Sequence, residues 1–250
     1  MLKVAVYSLT SCQGCLMNIV MALGSAVERL AKLVDVEYFK LVKEIYSDEE
    51  IVPVNIAFIE GAAVCEKDVK KLKAIRDNCR ILVALGTCAS TGGVGYYGSR
   101  RAKDFKEPKI VRYIEGEPLS SIVYVDYELR GCPVTFSEFM ETLSKLIKGI
   151  IPRPIDYHVC MECKEKGIPC LLDRGIPCLG PITMGGCGAP CPSIGIPCYG
   201  CRGPALETDF DNYVNMLREK GISLQRIIES IEVFMGRKAR EWREKYGNIY

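Results

Sequence analysis

A run of cysteines dominates the second half of this chain and limits how that half can fold. Eight of the fourteen cysteines fall between residues 160 and 201, where glycine and proline are also frequent. From residue 157 to residue 204 the apolar residues show almost no helical or strand periodicity, so this segment cannot build an apolar core. Something other than hydrophobic packing must therefore hold it together, and the cysteines are the candidates.

The bonds that these cysteines form depend on the cellular compartment. The first residues, MLKVAVYSLT, run into a strand-like segment and lack the basic region, apolar region or twin arginine of a secretion signal. We therefore expect a cytoplasmic protein, in which disulfides are disfavoured and clustered cysteines more often bind metal. The longest charge-free stretch, residues 175–201, contains five prolines and seven glycines, so no membrane span is expected.

Charge and histidine content argue against two classes of function. The 33 basic and 31 acidic residues give a net charge of +2 that is spread over both halves of the chain. This balance argues against nucleic acid or an anionic membrane as the main partner. With a single histidine, acid–base catalysis is not expected to be the task of this chain.

The first 150 residues alternate between apolar, β-branched runs and helical patterns. Strands are predicted at residues 2–7, 34–41, 55–59, 81–85 and 122–125. Apolar residues recur at helical spacing from Leu16 to Leu30 and from Phe136 to Ile150. Buried strands separated by helices predict an α/β fold with a doubly wound parallel sheet.

Three groups of cysteines follow predicted strands. Cys12 and Cys15 come after the first strand, Cys88 after Leu85, and Cys132 after the run at 122–125. Ligands of doubly wound folds bind at the carboxyl ends of the strands. We therefore expect the fold to bring these four cysteines to one edge of the sheet.

Pro152, Arg153 and Pro154 mark a boundary between two predicted domains, residues 1–151 and 155–250. Helical spacing returns after residue 204, at 206–217 and 224–231. The charged end, Arg237–Tyr246, holds the only tryptophan, Trp242. It is interpreted as a terminal helix lying on its own domain, with docking on a partner as the alternative.

The cysteines of the second domain form two groups of four. Their spacing is Cys160-x2-Cys163-x6-Cys170-x7-Cys178, followed by Cys187-x3-Cys191-x6-Cys198-x2-Cys201. Four thiolates suit either zinc or a [4Fe–4S] cluster. The glycine-rich and charge-poor surroundings favour iron–sulfur clusters over zinc, because glycines allow backbone N–H groups to approach cluster sulfurs. Disulfides are the third alternative.

Several motifs resemble a known family over about residues 1–205. The segments SLTSCQGCLMN, GTCAS, GCP, HVCMEC, PCLGPIT, GCGAPCP and PCYGCRGP are similar to those of the small, electron-transferring subunits of [NiFe]-hydrogenases. The resemblance is to the soluble archaeal group, namely sulfhydrogenase delta subunits and the gamma-type subunits of F420-reducing and non-reducing hydrogenases. It implies a flavodoxin-like domain followed by an irregular iron–sulfur domain with C-terminal helices.

The resemblance also implies three [4Fe–4S] clusters and assigns their ligands. The proximal cluster would take Cys12, Cys15, Cys88 and Cys132; the medial cluster Cys187, Cys191, Cys198 and Cys201; and the distal cluster Cys160, Cys163, Cys170 and Cys178. Electrons would pass between the Ni–Fe centre of a partner large subunit and a flavin, diaphorase or iron–sulfur acceptor subunit. The chain itself would carry no catalytic residue.

Three positions depart from the family pattern, the least consequential being Val134 in GCPV, where the family usually has GCPP. Many members begin the distal set with histidine, whereas this chain has Cys160, and His158 lies two residues too early. Some members have proline in place of Cys191 and a [3Fe–4S] medial cluster, so the cysteine here favours [4Fe–4S]. The alternatives to a hydrogenase subunit are a complex I-like quinone-site subunit, which would have adjacent cysteines in place of Cys12-x2-Cys15, and a zinc-stabilised interaction protein.

Cys65 and Cys79 are left over from these sets. They fall at helical spacing with Val69, Leu72 and Ile75, which predicts two buried thiols on one helix face. The alternative is that Cys65 is an unusual proximal-cluster ligand, as in some relatives.

Two further features of the first domain allow more than one interpretation. Glu60 is either a residue beside the proximal cluster, a member of a proton path at the subunit interface, or a carboxylate paired with a cation. The segment 93–98 matches the GxGxxG dinucleotide pattern, but GTCAST separates it from the preceding strand. We expect a loop packed beside Cys88 and no nucleotide binding.

Overall fold

The protein is described by a computed structural model that covers residues 1–23, 27–42, 50–102 and 113–246. The chain divides into two compact units, Met1–Pro154 and Ile155–Tyr250. None of the helices within the covered ranges combines the length and the apolar character needed to cross a bilayer.

Five parallel strands form the main sheet of the first unit, in the order β2-β1-β3-β5-β7. The strands of the unit are β1 (Leu2–Ser8), β2 (Val34–Phe39), β3 (Val54–Glu60), β4 (Ala63–Cys65), β5 (Cys79–Leu85), β6 (Tyr113–Glu117) and β7 (Tyr127–Leu129). β4 and β6 pair separately as a small antiparallel sheet. Counting only the strands of the main sheet, the order is 2-1-3-4-5, which is the flavodoxin-like order. The predicted fold class is confirmed.

Helices cover both faces of this sheet, because its strands bury side chains on both sides. The helices of the unit are α1 (Gly14–Leu23), α2 (Val27–Ala31), α3 (Glu66–Asp77), α4 (Thr87–Thr91), α5 (Gly93–Ala102) and α6 (Phe136–Ile147). Val4 and Val6 of β1 pack in one core with Leu16 of α1 and Leu143 of α6. On the opposite face, residues of β1 pack in a second core with Leu72 of α3.

The fifth strand lies at residues 127–129, so the strand predicted at 122–125 is wrong. Residues 119–121 form a 3₁₀ turn, and Ile122, Val123 and Val125 pack against the core as irregular chain. Asp126 then accepts the N–H of Leu82 at 2.8 Å, and the strand forms where the chain pairs with Val83–Leu85 of β5. The strand predicted at 34–41 is confirmed but ends at Phe39.

Two predicted helices end differently from their apolar patterns. The pattern from Leu16 to Leu30 belongs to two helices, α1 and α2, and residues 24–26 between them lie outside the described ranges. α6 ends at Ile147, and Ile150 beyond it is 54% exposed. The Thr135 side chain caps the start of α6, because its hydroxyl accepts the N–H of Glu138 and donates to the Glu138 carboxylate.

The second unit has a hydrophobic core, which three helices after the cysteines complete. Its helices are α7 (Val159–Glu165), α8 (Pro190–Ser193), α9 (Phe210–Glu219), α10 (Leu224–Ile231) and α11 (Arg237–Tyr246). Buried residues of α9, α10 and α11 pack with seven residues of the cysteine-rich segment: Val159, Leu172, Cys178, Leu179, Ile182, Ala189 and Cys198. The cysteine-rich segment thus contributes to an apolar core, and the later helices supply the rest of its buried surface.

The terminal helix α11 lies on its own unit. Trp242 is 8% exposed and stacks on Phe210 of α9, with ring centroids 4.1 Å apart. The helix predicted to begin at Leu206 begins only at Phe210, where the Asp209 side chain accepts the N–H of Asn212 at 2.9 Å.

Candidate metal centres

The carboxyl edge of the main sheet carries the four cysteines of the first predicted set. Ser8, Glu60, Leu85 and Leu129 lie side by side in one row that ends the four strands β1, β3, β5 and β7. Cys12 and Cys15 follow the β1 end of this row, at the start of α1. Cys88 follows the β5 end and Cys132 the β7 end, each by three residues. The parallel sheet thus brings the loops of four separated cysteines to one edge.

Backbone hydrogen bonds fasten two of these loops to each other. Gly86 donates its N–H to Leu129 O at 2.7 Å, and Thr87 donates to Gly131 O at 2.9 Å. Gly131 in turn donates to the Thr87 hydroxyl at 3.2 Å. These bonds fix the start of α4, which carries Cys88, against the segment that carries Cys132.

Glu60 holds the loop of Cys12 and Cys15. Its side chain is buried at the end of β3, and its carboxylate accepts the Cys15 N–H at 2.9 Å and the Ser11 hydroxyl at 3.2 Å. Burial raises the pKa of Glu60, and the N–H groups of Cys15 and Leu16 and the Ser11 hydroxyl oppose this rise. Within the described ranges no ion pair involves Glu60, so the interpretation as a partner of a cation is not supported.

The thiols of this edge influence one another through their charge. Burial raises the pKa of Cys15, and negative charge on Glu60, Cys132 and Cys88 raises it further, whereas the Val134 N–H lowers it. Burial also raises the pKa of Cys88, which the N–H groups of Gly95 and Val94 oppose. Both thiols must therefore lose protons when they become metal ligands.

The cysteines of the distal set lie near each other in the second unit. Burial raises the pKa of Cys160 to about 12, and negative charge on Cys178, Cys163 and Cys170 adds to the effect. Gly180 lies between two of these sulfurs, since a Cβ there would be 3.2 Å from Cys160 Sγ and 3.6 Å from Cys178 Sγ. The structure thus places all four residues of this predicted set within electrostatic range of one another.

The medial set adjoins the distal set. Burial raises the pKa of Cys187 to about 11 and that of Cys198 to about 12, and negative charge on Cys201 contributes to both shifts. The Cys198 N–H donates to Cys178 Sγ at 3.3 Å, which joins the two sets. Negative charge on Cys191 raises the pKa of Cys178, which belongs to the distal set. The assignment of Cys191 to the medial set therefore stays a prediction.

The predicted ligands fit a thiolate-bound group. At the sheet edge, a Cβ on Gly86 would lie 2.6 Å from Cys15 Sγ, so only glycine leaves room beside this sulfur. In the part of the chain that the structure describes, no three His, Cys, Asp or Glu side chains are arranged around a single metal ion.

Cys65 and Cys79 do not share a helix face, so that prediction is wrong. Cys65 ends β4 and precedes α3, while Cys79 begins β5. Both are half-buried, and Cys65 Sγ donates to Asp68 Oδ2 at 3.4 Å. The helical spacing is coincidental, because Cys65 lies at the end of a strand, Val69, Leu72 and Ile75 lie on the helix that follows, and Cys79 lies at the start of the next strand.

We expect Cys65→Ser and Cys79→Ser to keep all of the iron that the wild-type protein binds. Each substitution removes only a half-buried sulfur, so the free energy of unfolding should fall by about 1 kcal/mol. Iron analysis and urea denaturation measure the two effects, with Cys88→Ser as the control that should lose about four iron atoms. Loss of iron from Cys65→Ser would identify Cys65 as a ligand.

The GxGxxG pattern lies in a helix, so the expectation of a loop is wrong. Residues 93–98 open α5, and a Cβ on Gly93 would lie 3.1 Å from the Cys88 Cα. The expected packing beside Cys88 is therefore present.

His158 immediately precedes α7 and is half-buried, with its backbone paired to that of Met184.

Comparison with known proteins agrees with this architecture. A family model described as "NADH ubiquinone oxidoreductase, 20 Kd subunit" matches residues 12–146. Sulfhydrogenase 2 subunit delta of Pyrococcus furiosus is 35% identical over 225 residues, which cover 87% of this chain and 93% of that protein. A subunit of an F420-non-reducing hydrogenase from Methanocaldococcus jannaschii is 28% identical, with 80% of this chain and 81% of that protein covered.

A solved structure extends the comparison to three dimensions. The crystal structure of an NAD+-reducing [NiFe]-hydrogenase in the H2-reduced state contains a chain that matches with a TM-score of 0.52 and 28% identity. The match covers 61% of this chain and 94% of that chain.

The fold and the sheet edge define a flavodoxin-like α/β protein that presents cysteines at the carboxyl ends of its strands. The chain belongs to the family of the 20 Kd subunit of NADH ubiquinone oxidoreductase, and within it to the hydrogenase small subunits. It is a component of an oxidoreductase complex, and this family implies iron–sulfur cofactors.

Proposed function

We propose that this chain is the electron-transferring small subunit of a [NiFe]-hydrogenase. One observation carries the proposal: the sheet brings the loops of Cys12, Cys15, Cys88 and Cys132 to one edge, in a chain related to hydrogenase subunits. The relative from Pyrococcus furiosus aligns over more residues than the first unit contains. This extent favours a hydrogenase subunit over a complex I-like subunit that lacks the eight-cysteine domain.

Three [4Fe–4S] clusters, held by the proximal, medial and distal sets predicted above, would each supply a one-electron carrier. The residues of this chain prepare the sites in two ways. They bury three of the thiols, those of Cys15, Cys178 and Cys198, and they direct backbone N–H groups at several sulfurs, as Gly14 does toward Cys12 at 3.4 Å. Such donors favour the thiolate and tune reduction potential.

The medial and distal sets meet closely enough to support an electron relay. The Cys198 N–H contacts Cys178 Sγ, and a Cβ on Gly180 would lie within 4 Å of Cys160, Cys178 and Cys198. Two groups bound by these sets would therefore be neighbours. The partners on this proposal are a large subunit with the Ni–Fe centre and a flavin, diaphorase or iron–sulfur acceptor subunit, in the cytoplasm.

Metal analysis of protein purified without oxygen tests the proposal. The protein should be brown and contain about twelve iron atoms per chain, with matching sulfide, because three clusters have four irons each. Colourless protein with two zinc ions would instead favour the zinc-stabilised interaction protein. Iron near eight per fully loaded chain would mean that one predicted set is structural.

A further inference from the structure

A buried glutamate joins α7 to the loop of residues 186–189, which contains Cys187. Glu162 lies on α7 between Cys160 and Cys163 and is 7% exposed. Its Oε1 accepts the Gly186 N–H at 2.6 Å, and its Oε2 accepts the Ala189 N–H at 3.1 Å. Oε2 also lies 3.6 Å from Cys187 Sγ. Both carboxylate oxygens are therefore committed to one short loop.

This loop has a backbone that requires support. Gly186, Gly188 and Ala189 have φ angles of 99°, 73° and 48°, and the last belongs to a residue with a Cβ, for which left-handed backbone is unfavourable. Backbone of this kind can turn successive N–H groups toward a common anion. The Glu162 carboxylate takes the place of that anion. Lys166, just beyond α7, donates to the Gly188 carbonyl and holds the loop from the same side.

The carboxylate also changes the electrostatics at Cys187. Its negative charge lies next to the sulfur, while the buried guanidinium of Arg202 acts on the same thiol with opposite sign. Net charge and hydrogen bonds to sulfur both set the reduction potential of a cluster. A nearby anion disfavours the added electron, and an N–H that donates to a carboxylate is less available to sulfur.

We propose that Glu162 is a positioning residue that fixes the Cys187 sulfur and lowers the reduction potential of the cluster bound through it. The inference rests on the proposed function, because it requires a cluster at the medial set. The carboxylate acts by its charge, by accepting the Gly186 N–H, and by competing with the Cys187 sulfur for the Ala189 N–H. No pattern in the sequence singles out Glu162, although it is an acidic residue between two predicted ligands.

A redox titration of the hydrogenase complex, followed by electron paramagnetic resonance, tests the inference. The signal removed by Cys187→Ser identifies the relevant cluster. In Glu162→Gln the ratio of reduced to oxidised cluster at a fixed potential should rise about tenfold. For one electron this corresponds to a midpoint potential that is ~59 mV higher. The amide is neutral, and its single oxygen cannot accept both N–H groups.

Glu165→Gln is the matched control, because it removes the same charge from an exposed position on the same helix. Its midpoints should equal those of the wild type. Glu162→Asp provides a second measurement if the glutamine variant does not bind the cluster. Aspartate keeps the charge but is too short to reach both N–H groups, so its midpoint should rise by less than in Glu162→Gln.

The experiment distinguishes a failure of the role proposed for Glu162 from a failure of the proposed medial cluster. A loaded Glu162→Gln complex with the wild-type midpoint, or a Glu162→Asp complex with an unchanged or lower midpoint, would overturn the role of Glu162. A wild-type complex in which Cys187→Ser removes no signal and no iron would overturn the proposed medial cluster instead.

Discussion

A Glu60→Ala variant is expected to lose the predicted proximal cluster and about 1–3 kcal/mol of unfolding free energy. The Glu60 carboxylate is 2% exposed and accepts the Cys15 N–H at 2.9 Å and the Ser11 hydroxyl at 3.2 Å. Alanine leaves the buried Cys15 N–H without its acceptor, whereas the Ser11 hydroxyl keeps Ser8 Oγ as a partner. An unsatisfied buried donor costs about 1–3 kcal/mol. The loop of Cys12 and Cys15 should then no longer hold its sulfurs in place.

Iron analysis and urea denaturation measure the effects of this change. Glu66→Ala is the control, because Glu66 is an exposed glutamate at the start of α3. It should keep all of the iron and change stability by less than about 0.5 kcal/mol. Glu60→Gln retains one acceptor oxygen, so its iron content and its stability should lie between those of Glu60→Ala and Glu66→Ala. Full iron content in Glu60→Ala would show that the loop keeps its shape without the carboxylate.

Hydrogen-dependent dye reduction is expected only when the chain is produced together with a nickel-binding large subunit. An apolar side chain near the edge that carries the proximal set is exposed, since Met17, in the first turn of α1, is 45% exposed. Burying such an edge requires a large complementary surface, and obligate interfaces bury more than roughly 2,000 Å². The chain produced alone should therefore aggregate and reduce no dye with H2.

A pair of substitutions tests whether this edge is the interface. Met17→Lys lies one turn into α1, near the predicted proximal ligands, and should weaken assembly at least tenfold. Ile150→Lys is the control: Ile150 is 54% exposed and follows α6, which runs from the cysteine edge toward the opposite edge of the sheet. Co-purification measures assembly. Equal assembly in both variants, or an active isolated chain, would contradict the prediction.

The sheet is predictable from the sequence because its strands are short β-branched runs that are buried on both faces. The edge on which Cys12, Cys88 and Cys132 converge follows from that topology alone. The fifth strand is harder to place, since an apolar run at 122–125 looks the same whether it pairs or packs as irregular chain. Its actual position depends on Asp126 and on the register with β5, both of which are long-range contacts.

The polar contacts around the cysteines are beyond prediction for the same reason. Glu60 is noticeable in the sequence, but its bond to Cys15 joins residues 45 positions apart. Cys65 and Cys79 show the opposite error, where a helical spacing arises without a common helix. Periodicity reports which face of an element is apolar, and it carries no information about which element a residue belongs to when two elements meet.

The core of the second unit can form only after the whole cysteine-rich segment has been synthesised. The residues that bury Val159, Leu172 and Leu179 lie on α9, α10 and α11, which follow every cysteine in the chain. Translation proceeds at about 5–20 residues per second from the N-terminus. All eight thiols of this unit are therefore synthesised before the helices that complete its core. Until those helices pack, Cys178 and Cys198, which the folded core buries, stay accessible to a metal or an assembly partner.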